Sequence, residues 1–302
     1  MEAPGVGAAL TFLIADIRGY TAFTAERGDE AGSRLAARFS TIAAEGVEAW
    51  SGRLVELRGD EALCAFDDPV AALQASIELQ DAFAEETAAD ETMPLRVGIG
   101  LATGGAVPLG DGFRGSSLNL AARLCSLSDA GEVHASVALV EATGDVEGLE
   151  MEAVGDLDLK GLETEQRAFR VRSAEPCSAG SLPVLPSEVE GRTPPRGLDT
   201  SGVLVGRDAE IRWLGWHWRR ARHGHARTVL LEGARGVGKT RLLATLATRA
   251  AGEGADVAYE TAPQAGGRTD GPPNEAGPHP WLRIIDGAAG AAWEPSDTER
   301  AS

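Results

Sequence analysis

Hydrophobic residues change their spacing along the first part of the chain, and each spacing predicts one kind of element. The short apolar run at 9–15, interrupted by Thr11 alone, is typical of a buried strand, whereas 29–50 repeats apolar residues every three or four positions, as an amphipathic helix does. The same patterns predict strands at 53–57, 62–66, 95–102, 151–157 and 166–171 and helices at 69–83 and 117–127. Gly104-Gly105 predicts a turn into a short returning strand. This order favours a single antiparallel-rich sheet covered by helices, within the α/β class.

A change of composition divides the chain. Residues 174–202 mix five prolines with serine and glycine and lack apolar periodicity, which predicts a linker between a first domain at 1–173 and a second at 203–260. In the second domain, a predicted strand at 228–231 leads through a glycine-rich loop into a helix at 240–251. The Gly/Pro-rich segment 261–302 is predicted to be a poorly ordered tail.

Charge and cysteine content narrow the possible partners. The 302 residues carry a formal charge of −18, from 46 acidic and 28 basic side chains, and such a surface repels nucleic acid and anionic lipid. We therefore expect neither a nucleic-acid nor a membrane partner. Three scattered cysteines indicate a reducing compartment, and the apolar run near the start is too short to span a bilayer. The expected location is cytoplasmic.

Two aspartates stand where strands are predicted to end. Asp16 closes the first strand and opens a glycine-containing loop that runs into a helix, and Asp60 lies in the hairpin turn Arg58-Gly59-Asp60. Side by side, their carboxylates would form an oxygen-rich site for Mg²⁺ or Mn²⁺. The alternative is that Asp16 caps a helix and Asp60 is a turn residue, and for either residue alone that alternative is favoured.

Asn119 and Arg123 are four positions apart in a predicted helix, so they lie on one face of it. An amide and a guanidinium at this spacing suit a ribose and a phosphate that gains charge during a reaction. The alternative is a solvated helix face, and for the pair considered alone that alternative is favoured.

Taken together, these segments resemble the catalytic domain of class III adenylate and guanylate cyclases. The resemblance rests on five segments that occur in the family's order over residues 8–173: Phe12–Phe23, Gly52–Leu63, Arg96–Gly100, Gly115–Leu124 and Leu157–Gly161. It implies an α+β, ferredoxin-like cyclase sheet with helices, followed by a partial P-loop α/β domain. It also implies conversion of a purine nucleoside triphosphate to a cyclic nucleotide and pyrophosphate.

The resemblance assigns a role to each matching residue. Asp16, Asp60 and the carbonyl of Ile17 would hold two Mg²⁺ or Mn²⁺ ions, one activating the ribose 3′-hydroxyl and the other holding the triphosphate. Asn119 would position the ribose, and Arg123 would stabilise the transferring phosphate. The residues that would bind substrate phosphates are Gly19, Tyr20, Thr21 and Lys160. In this family the metal residues face the Asn/Arg pair across a homodimer interface, so one chain would hold half-sites.

Two positions depart from the adenine-specific pattern. Glu56 stands where adenine-specific relatives place a lysine, and a carboxylate matches the N1–H and 2-amino donors of guanine. Gly112, at the second base-reading position, has no side chain. Two hypotheses remain: an active cyclase that uses GTP or ATP, and a weak or silent cyclase-like module that acts as a dimeric regulator.

The second domain contains the segment Gly233-Ala-Arg-Gly236-Val-Gly238-Lys239-Thr240, which satisfies the P-loop pattern. Its amides would hold phosphates, Lys239 would reach the β/γ oxygens and Thr240 would ligate Mg²⁺. With Leu204–Ile211 it resembles AAA-like signalling ATPases over 203–260. Because no second acidic strand is recognisable after it, we expect a shortened nucleotide-binding domain, and a nucleotide switch is a third hypothesis. The tryptophans of Arg212–Arg220 are interpreted as packing residues and its arginines as solvated, in preference to a nucleic-acid or membrane surface.

Overall fold

The structure is a computed structural model that describes residues 9–109, 112–157, 166–174, 204–223, 227–234, 236–261 and 280–285. The chain divides into two units, residues 1–182 and 183–302. The strands of the first unit are β1 Ala9–Ile17, β2 Arg53–Arg58, β3 Glu61–Phe66, β4 Val97–Gly105, β5 Val107–Leu109, β6 Gly112–Arg114, β7 Val133–Ser136, β8 Leu149–Leu157 and β9 Gln166–Ser173. Its helices are α1 Tyr20–Arg27, α2 Asp29–Ala49, α3 Pro69–Ala89, α4 Ser116–Leu127 and α5 Val137–Thr143.

Seven of these strands form one sheet in the order β2-β3-β1-β4-β7-β9-β8. Among the described strands only β4 and β7 pair in parallel, because α4 carries the chain across the sheet between them; the other pairs are antiparallel. The antiparallel-rich sheet predicted from the sequence is confirmed. Strand β4 lies at the centre of this order, and beside it lies β1, whose residues from Leu10 to Ala15 are all buried.

Helices α2 and α3 cover the sheet with the apolar faces that their spacing predicts. Leu35, Phe39 and Val47 of α2 are buried, and the ring of Phe39 stacks on Phe83 of α3 with centroids 5.5 Å apart. Asp68 caps α3, since its side chain accepts a hydrogen bond from the Val70 N–H at 2.9 Å.

A stripe of small residues on β4 lets α4 lie directly on the strand. A Cβ atom on Gly100 would lie 2.7 Å from the Cα of Cys125, and one on Gly104 would lie 3.0 Å from the Cβ of Ser117. Side chains at alternate positions share one face of a strand, so these glycines and Ala102 form a flat strip under the helix. The helix is held there by a small core that includes Phe12, Ile14, Ala121 and Cys125.

In the second unit, α6 (Asp208–Arg222) packs on α7 (Lys239–Gly252), while β10 (Asp256–Thr261) pairs with β11 (Pro280–Ile285). The helix predicted at 240–251 is confirmed. Trp216 and Trp218 are buried, and Trp218 shares a core with Ala244 and Ala247 of α7, as the packing interpretation predicts. The expectation of solvated arginines is wrong for Arg220, which is buried with its guanidinium over the Trp216 ring at 5.7 Å.

Several sequence predictions fail for physical reasons. Residues 228–231 form no strand. The two described strands of this unit, β10 and β11, pair with each other and not with this segment, and Leu230 is 73% exposed. The strand after Gly104-Gly105 does not return along β4; β5 pairs with β6 instead. Strand β11 lies inside the segment predicted as a poorly ordered tail, and its Trp281-Leu-Arg-Ile-Ile285 run is β-prone.

The short elements β7 and α5 were not predicted, because four and seven residues are too few to show a period. Among the described residues, no helix combines the length and the apolar character needed to cross a bilayer.

Candidate active site

The sheet brings the two predicted metal-binding aspartates together. Asp16 lies near the end of β1 and is in register with Glu61, the first residue of β3, on the neighbouring strand. The Ile17 N–H donates a hydrogen bond to the carbonyl oxygen of Asp60 at 3.1 Å, which fixes the hairpin turn against the end of β1. Gly59 has φ +67, a value that favours glycine in so tight a turn.

Burial and neighbouring carboxylates act on Asp16. Burial raises its pKa from 3.8 to about 6; Arg18 opposes this increase, whereas the charges of Asp60 and Glu61 add to it. Carboxylates that repel one another in a half-buried position favour a cation. The electrostatic repulsion thus marks this corner of the sheet as a place for positive charge.

The donor set fits a magnesium-type ion that keeps part of its coordination for substrate. Among the described residues, no three His, Cys, Asp or Glu side chains cluster as a complete metal cage. Mg²⁺ is commonly bound by one or two carboxylates together with substrate phosphates, rather than by protein ligands alone. Asp16, Asp60 and the carbonyl of Ile17 supply oxygen ligands of that kind.

The loop after Asp16 ends at the beginning of α1. Gly19 is left-handed (φ 76, ψ 16), and its carbonyl accepts the first helical hydrogen bond, from the Phe23 N–H at 2.9 Å. No side chain of the described residues caps this end, and the first-turn amides, including those of Tyr20 and Thr21, have no intrahelical partners. None of the residues of α1 is buried. Its N-terminus can therefore meet a phosphate or another chain.

Arg18, which the sequence patterns did not single out, directly follows β1 and lies beside Asp16. Its guanidinium forms an ion pair with Asp16 and donates to the Cys125 carbonyl and, through Nε at 2.9 Å, to the Ser128 carbonyl. The side chain passes over Gly98, where a Cβ atom would lie 2.6 Å from Nε. The sequence signal for this contact was the pair of alternating glycines in Arg96–Gly100. A glycine inside a strand often marks a position where another group approaches the backbone closely.

Helix α4 carries the predicted Asn/Arg pair. Its buried positions, Ser117, Ala121 and Leu124 among them, pack on the sheet, whereas Asn119 is exposed and Arg123 is half-buried. The pair thus lies outside the packed face of the helix, as the spacing predicts.

The two predicted base-reading positions lie on neighbouring elements. Glu56, exposed on the edge strand β2, accepts two hydrogen bonds from Arg58, at 2.7 and 2.8 Å, and these bonds lower its pKa. The nearby charge of Arg114, at the end of β6, acts in the same direction. Gly112 begins β6, and the following Phe113 packs edge-on against Phe12 at 5.5 Å. Lys160 lies outside the described residues.

The P-loop glycines have the backbone that their loop needs. Gly233, Gly236 and Gly238 all have positive φ, and α7 begins directly after Gly238, at Lys239 and Thr240. The Lys239 ammonium donates to the carbonyls of Gly233 and Ala234 at 2.6 and 3.0 Å. The lysine therefore lies across its own loop, at the place where the pattern predicts phosphate oxygens.

Comparison with known proteins separates the same two parts. Residues 203–294 match the AAA ATPase domain family. An adenylate cyclase of Streptomyces coelicolor is 40% identical over 128 residues, which cover 42% of this chain and 32% of that protein. An adenylate cyclase of Streptomyces griseus is 39% identical over 115 residues, 38% of this chain and 27% of that protein. The matched region is therefore about a third of the length of these relatives.

The fold of the first unit has solved counterparts. The adenylyl cyclase CyaB from P. aeruginosa superposes with a TM-score of 0.50 at 24% identity, covering 56% of this chain and 95% of that structure. The resemblance read from the five sequence segments is thereby confirmed, as is the mixed α/β class. The chain joins an N-terminal domain that is homologous to adenylate cyclases and shares their fold to a C-terminal segment that matches the AAA ATPase domain family.

Proposed function

We propose that the N-terminal domain is a purine nucleotide cyclase, which converts a nucleoside triphosphate to the 3′,5′-cyclic nucleotide and pyrophosphate. The observation that carries the proposal is the hydrogen bond from the Ile17 N–H to the Asp60 carbonyl. It holds Asp60 beside the end of β1, close enough for its charge to act on Asp16. The homology to proteins named adenylate cyclase supports it.

Asp16, Asp60 and the carbonyl of Ile17 would hold two Mg²⁺ or Mn²⁺ ions. Bound there, such ions lower the pKa of the ribose 3′-hydroxyl and neutralise the triphosphate. The amides at the start of α1 would orient phosphate oxygens, and Lys160 would hold the terminal phosphates. Asn119 would fix the ribose, and Arg123 would stabilise the charge that grows on the α-phosphate.

We infer that two chains complete each site as a homodimer. Helix α1 buries none of its residues, and Asn119 is exposed on α4, so both half-sites face outward. Apolar side chains are exposed on the same domain, Val107 by 65% and Leu57 by 41%. Burying such side chains against a second copy is favourable.

The proposed setting is intracellular signal transduction in the cytoplasm. The substrate is a nucleoside triphosphate, and the C-terminal segment belongs to a family of ATPase domains. Gly233, Gly236, Gly238, Lys239 and Thr240 would bind a second nucleotide there. When a nucleotide binds, the Lys239 ammonium would donate hydrogen bonds to phosphate oxygens instead of to the loop carbonyls.

The test is to incubate the full chain with Mn²⁺ and either ATP or GTP and to detect cyclic product by chromatography. Asp60→Ala should eliminate the product, whereas Asp67→Ala, which removes a largely exposed carboxylate elsewhere, should retain it. Equal product from the wild type and Asp60→Ala would refute the proposed site.

A catalytically weak or silent dimeric regulator is the second candidate, and Gly112 favours it because a glycine cannot read a base. This alternative predicts a dimer that binds Mn²⁺ and nucleotide but forms no cyclic product with either substrate. Both candidates are dimers, so product analysis of a sample that sedimentation shows to be dimeric separates the two functions.

A further inference from the structure

The cyclase domain contains a side-chain bridge that joins its two half-sites within one chain, and Arg18 forms it. One end of the guanidinium pairs with Asp16, and the other parts donate to the carbonyls of Cys125 and Ser128 at the C-terminal end of α4. The backbone N–H of Arg18 donates to the Arg96 carbonyl at 2.6 Å, so the residue is fixed at its base as well.

The surroundings are shaped for this guanidinium. A Cβ atom on Gly98 would lie 2.6 Å from Nε and 2.7 Å from the Ser128 carbonyl, between the two partners of the hydrogen bond. A helix C-terminus also attracts a cation, because its last carbonyls carry partial negative charge. Arginine suits the position better than lysine, since its planar head reaches several acceptors at once.

We propose that Arg18 is a positioning residue that couples metal binding at Asp16 to the orientation of α4, and therefore of Asn119 and Arg123. This inference rests on the proposed function of Asp16 as a metal ligand. Arg18 touches a proposed metal ligand and a helix end. Its effect on the reaction is therefore exerted through those groups.

The bridge has a consequence that hydrogen exchange can measure on the full chain without turnover. In the metal-free wild type, the amides of residues 125–128 should exchange slowly, and Mn²⁺ should slow them further along with those of 16–20. Arg18→Ala removes hydrogen bonds from a charged donor, so exchange at 125–128 should become at least about tenfold faster. Mn²⁺ should then protect 16–20 but no longer 125–128.

Three variants separate coupling from general stability. Gly98→Ala keeps the arginine but inserts a methyl group between Nε and Ser128, so it should reproduce the loss of transmitted protection. Arg18→Lys should retain part of that protection, because the lysine ammonium keeps the positive charge but reaches fewer acceptors than the planar guanidinium. Arg34→Ala, which removes an exposed arginine paired with Glu30, should behave as the wild type.

Turnover provides a second readout. Arg18→Ala should lower kcat about tenfold and leave KM for the nucleotide within about threefold, since a misplaced catalytic group costs rate more than binding. Transmitted protection that persists in both Arg18→Ala and Gly98→Ala would overturn the proposal. A wild type that makes no product, yet transmits Mn²⁺ protection through Arg18, would refute the cyclase function and leave the coupling intact.

Discussion

Ile17 donates its backbone N–H to the carbonyl of Asp60 at 3.1 Å, and this hydrogen bond joins the end of β1 to the hairpin turn between β2 and β3. The bond depends on backbone atoms alone, so side-chain substitutions at Asp16 or Asp60 should leave it in place. The site can therefore be disabled chemically while the fold remains.

The first prediction concerns the two aspartates. Asp16→Ala and Asp60→Ala should each lower kcat by more than about 100-fold, because the nucleophile and the leaving group would both depend on the ions that these residues are proposed to hold. Circular dichroism should match the wild type. Cyclase assays at saturating Mn²⁺ measure the effect, with Asp67→Ala as the control; wild-type turnover in Asp60→Ala would contradict the assignment.

The second prediction concerns the dimer. Asp16→Ala and Arg123→Ala should each be inactive alone but recover activity when mixed. In the mixed dimer, one of the two sites combines the intact Asp16 of one chain with the intact Arg123 of the other. A mixture of Asn119→Ala with Arg123→Ala is the matched control, since both defects lie in the same half-site and no intact site forms. Absence of recovery from a verified heterodimer of the first pair would exclude shared sites.

The third prediction concerns the base. Glu56 cannot donate to adenine N1, and such a mismatch costs on the order of 1–3 kcal/mol, so GTP should be preferred about ten- to a hundredfold. Glu56→Lys should move the preference towards ATP, and adding Gly112→Asp should move it further. Measurement of kcat/KM for both nucleotides in the three proteins decides. A wild type that clearly prefers ATP and is unchanged by Glu56→Lys would remove Glu56 from the base pocket.

The fourth prediction concerns the contact of α4 with β4. Gly100→Ala places a methyl group against helix backbone that cannot rotate away, so it should destabilise the domain by about 3 kcal/mol. Gly105→Ala, where a Cβ atom would meet nothing within 4 Å, is the control and should change stability little. Urea unfolding compares the two; equal midpoints would show that the helix yields to the added methyl.

The fifth prediction concerns pH. His134 is buried on β7, and burial lowers its pKa below the usual 6.5; nearby Arg170 acts in the same direction, whereas Glu132 and Asp129 oppose it. The unfolded chain thus binds a proton more readily, so His134 stabilises the fold above pH 6.5 and loses that contribution as pH falls. From pH 7.5 to 5.5 the wild type should lose more unfolding free energy than His134→Gln. Parallel losses in urea titrations would contradict this.

Where the residues of the candidate site lie in the fold was largely predictable, because most of them lie in or beside regular elements. Asp16 and Asp60 follow clear strand patterns, and Asn119 and Arg123 share a helix face that spacing alone defines. Arg18 was missed because its role depends on contacts with Cys125 and Ser128, more than a hundred positions away. Spacing within a motif carries no information about such a partner.

The fold was least predictable where pairing decides the outcome. The apolar residues 228–231 have the local preference for a strand but no described neighbour to pair with, whereas 280–285 gains a strand by pairing with β10. Local preference is a weak guide when a sheet edge decides whether backbone groups are satisfied.

The glycine strip on β4 limits how an active site of this kind can be regulated. Helix–sheet contacts usually absorb small displacements by changes of side-chain rotamer, but Gly98, Gly100 and Gly104 offer no side chains that could adjust. Movements of Asn119 and Arg123 relative to Asp16 of the same chain, including any transmitted through Arg18, are therefore small. In the proposed homodimer, larger changes in active-site geometry would come from movement of one N-terminal domain against that of the partner chain, so an activating signal would act on the relative orientation of the two copies.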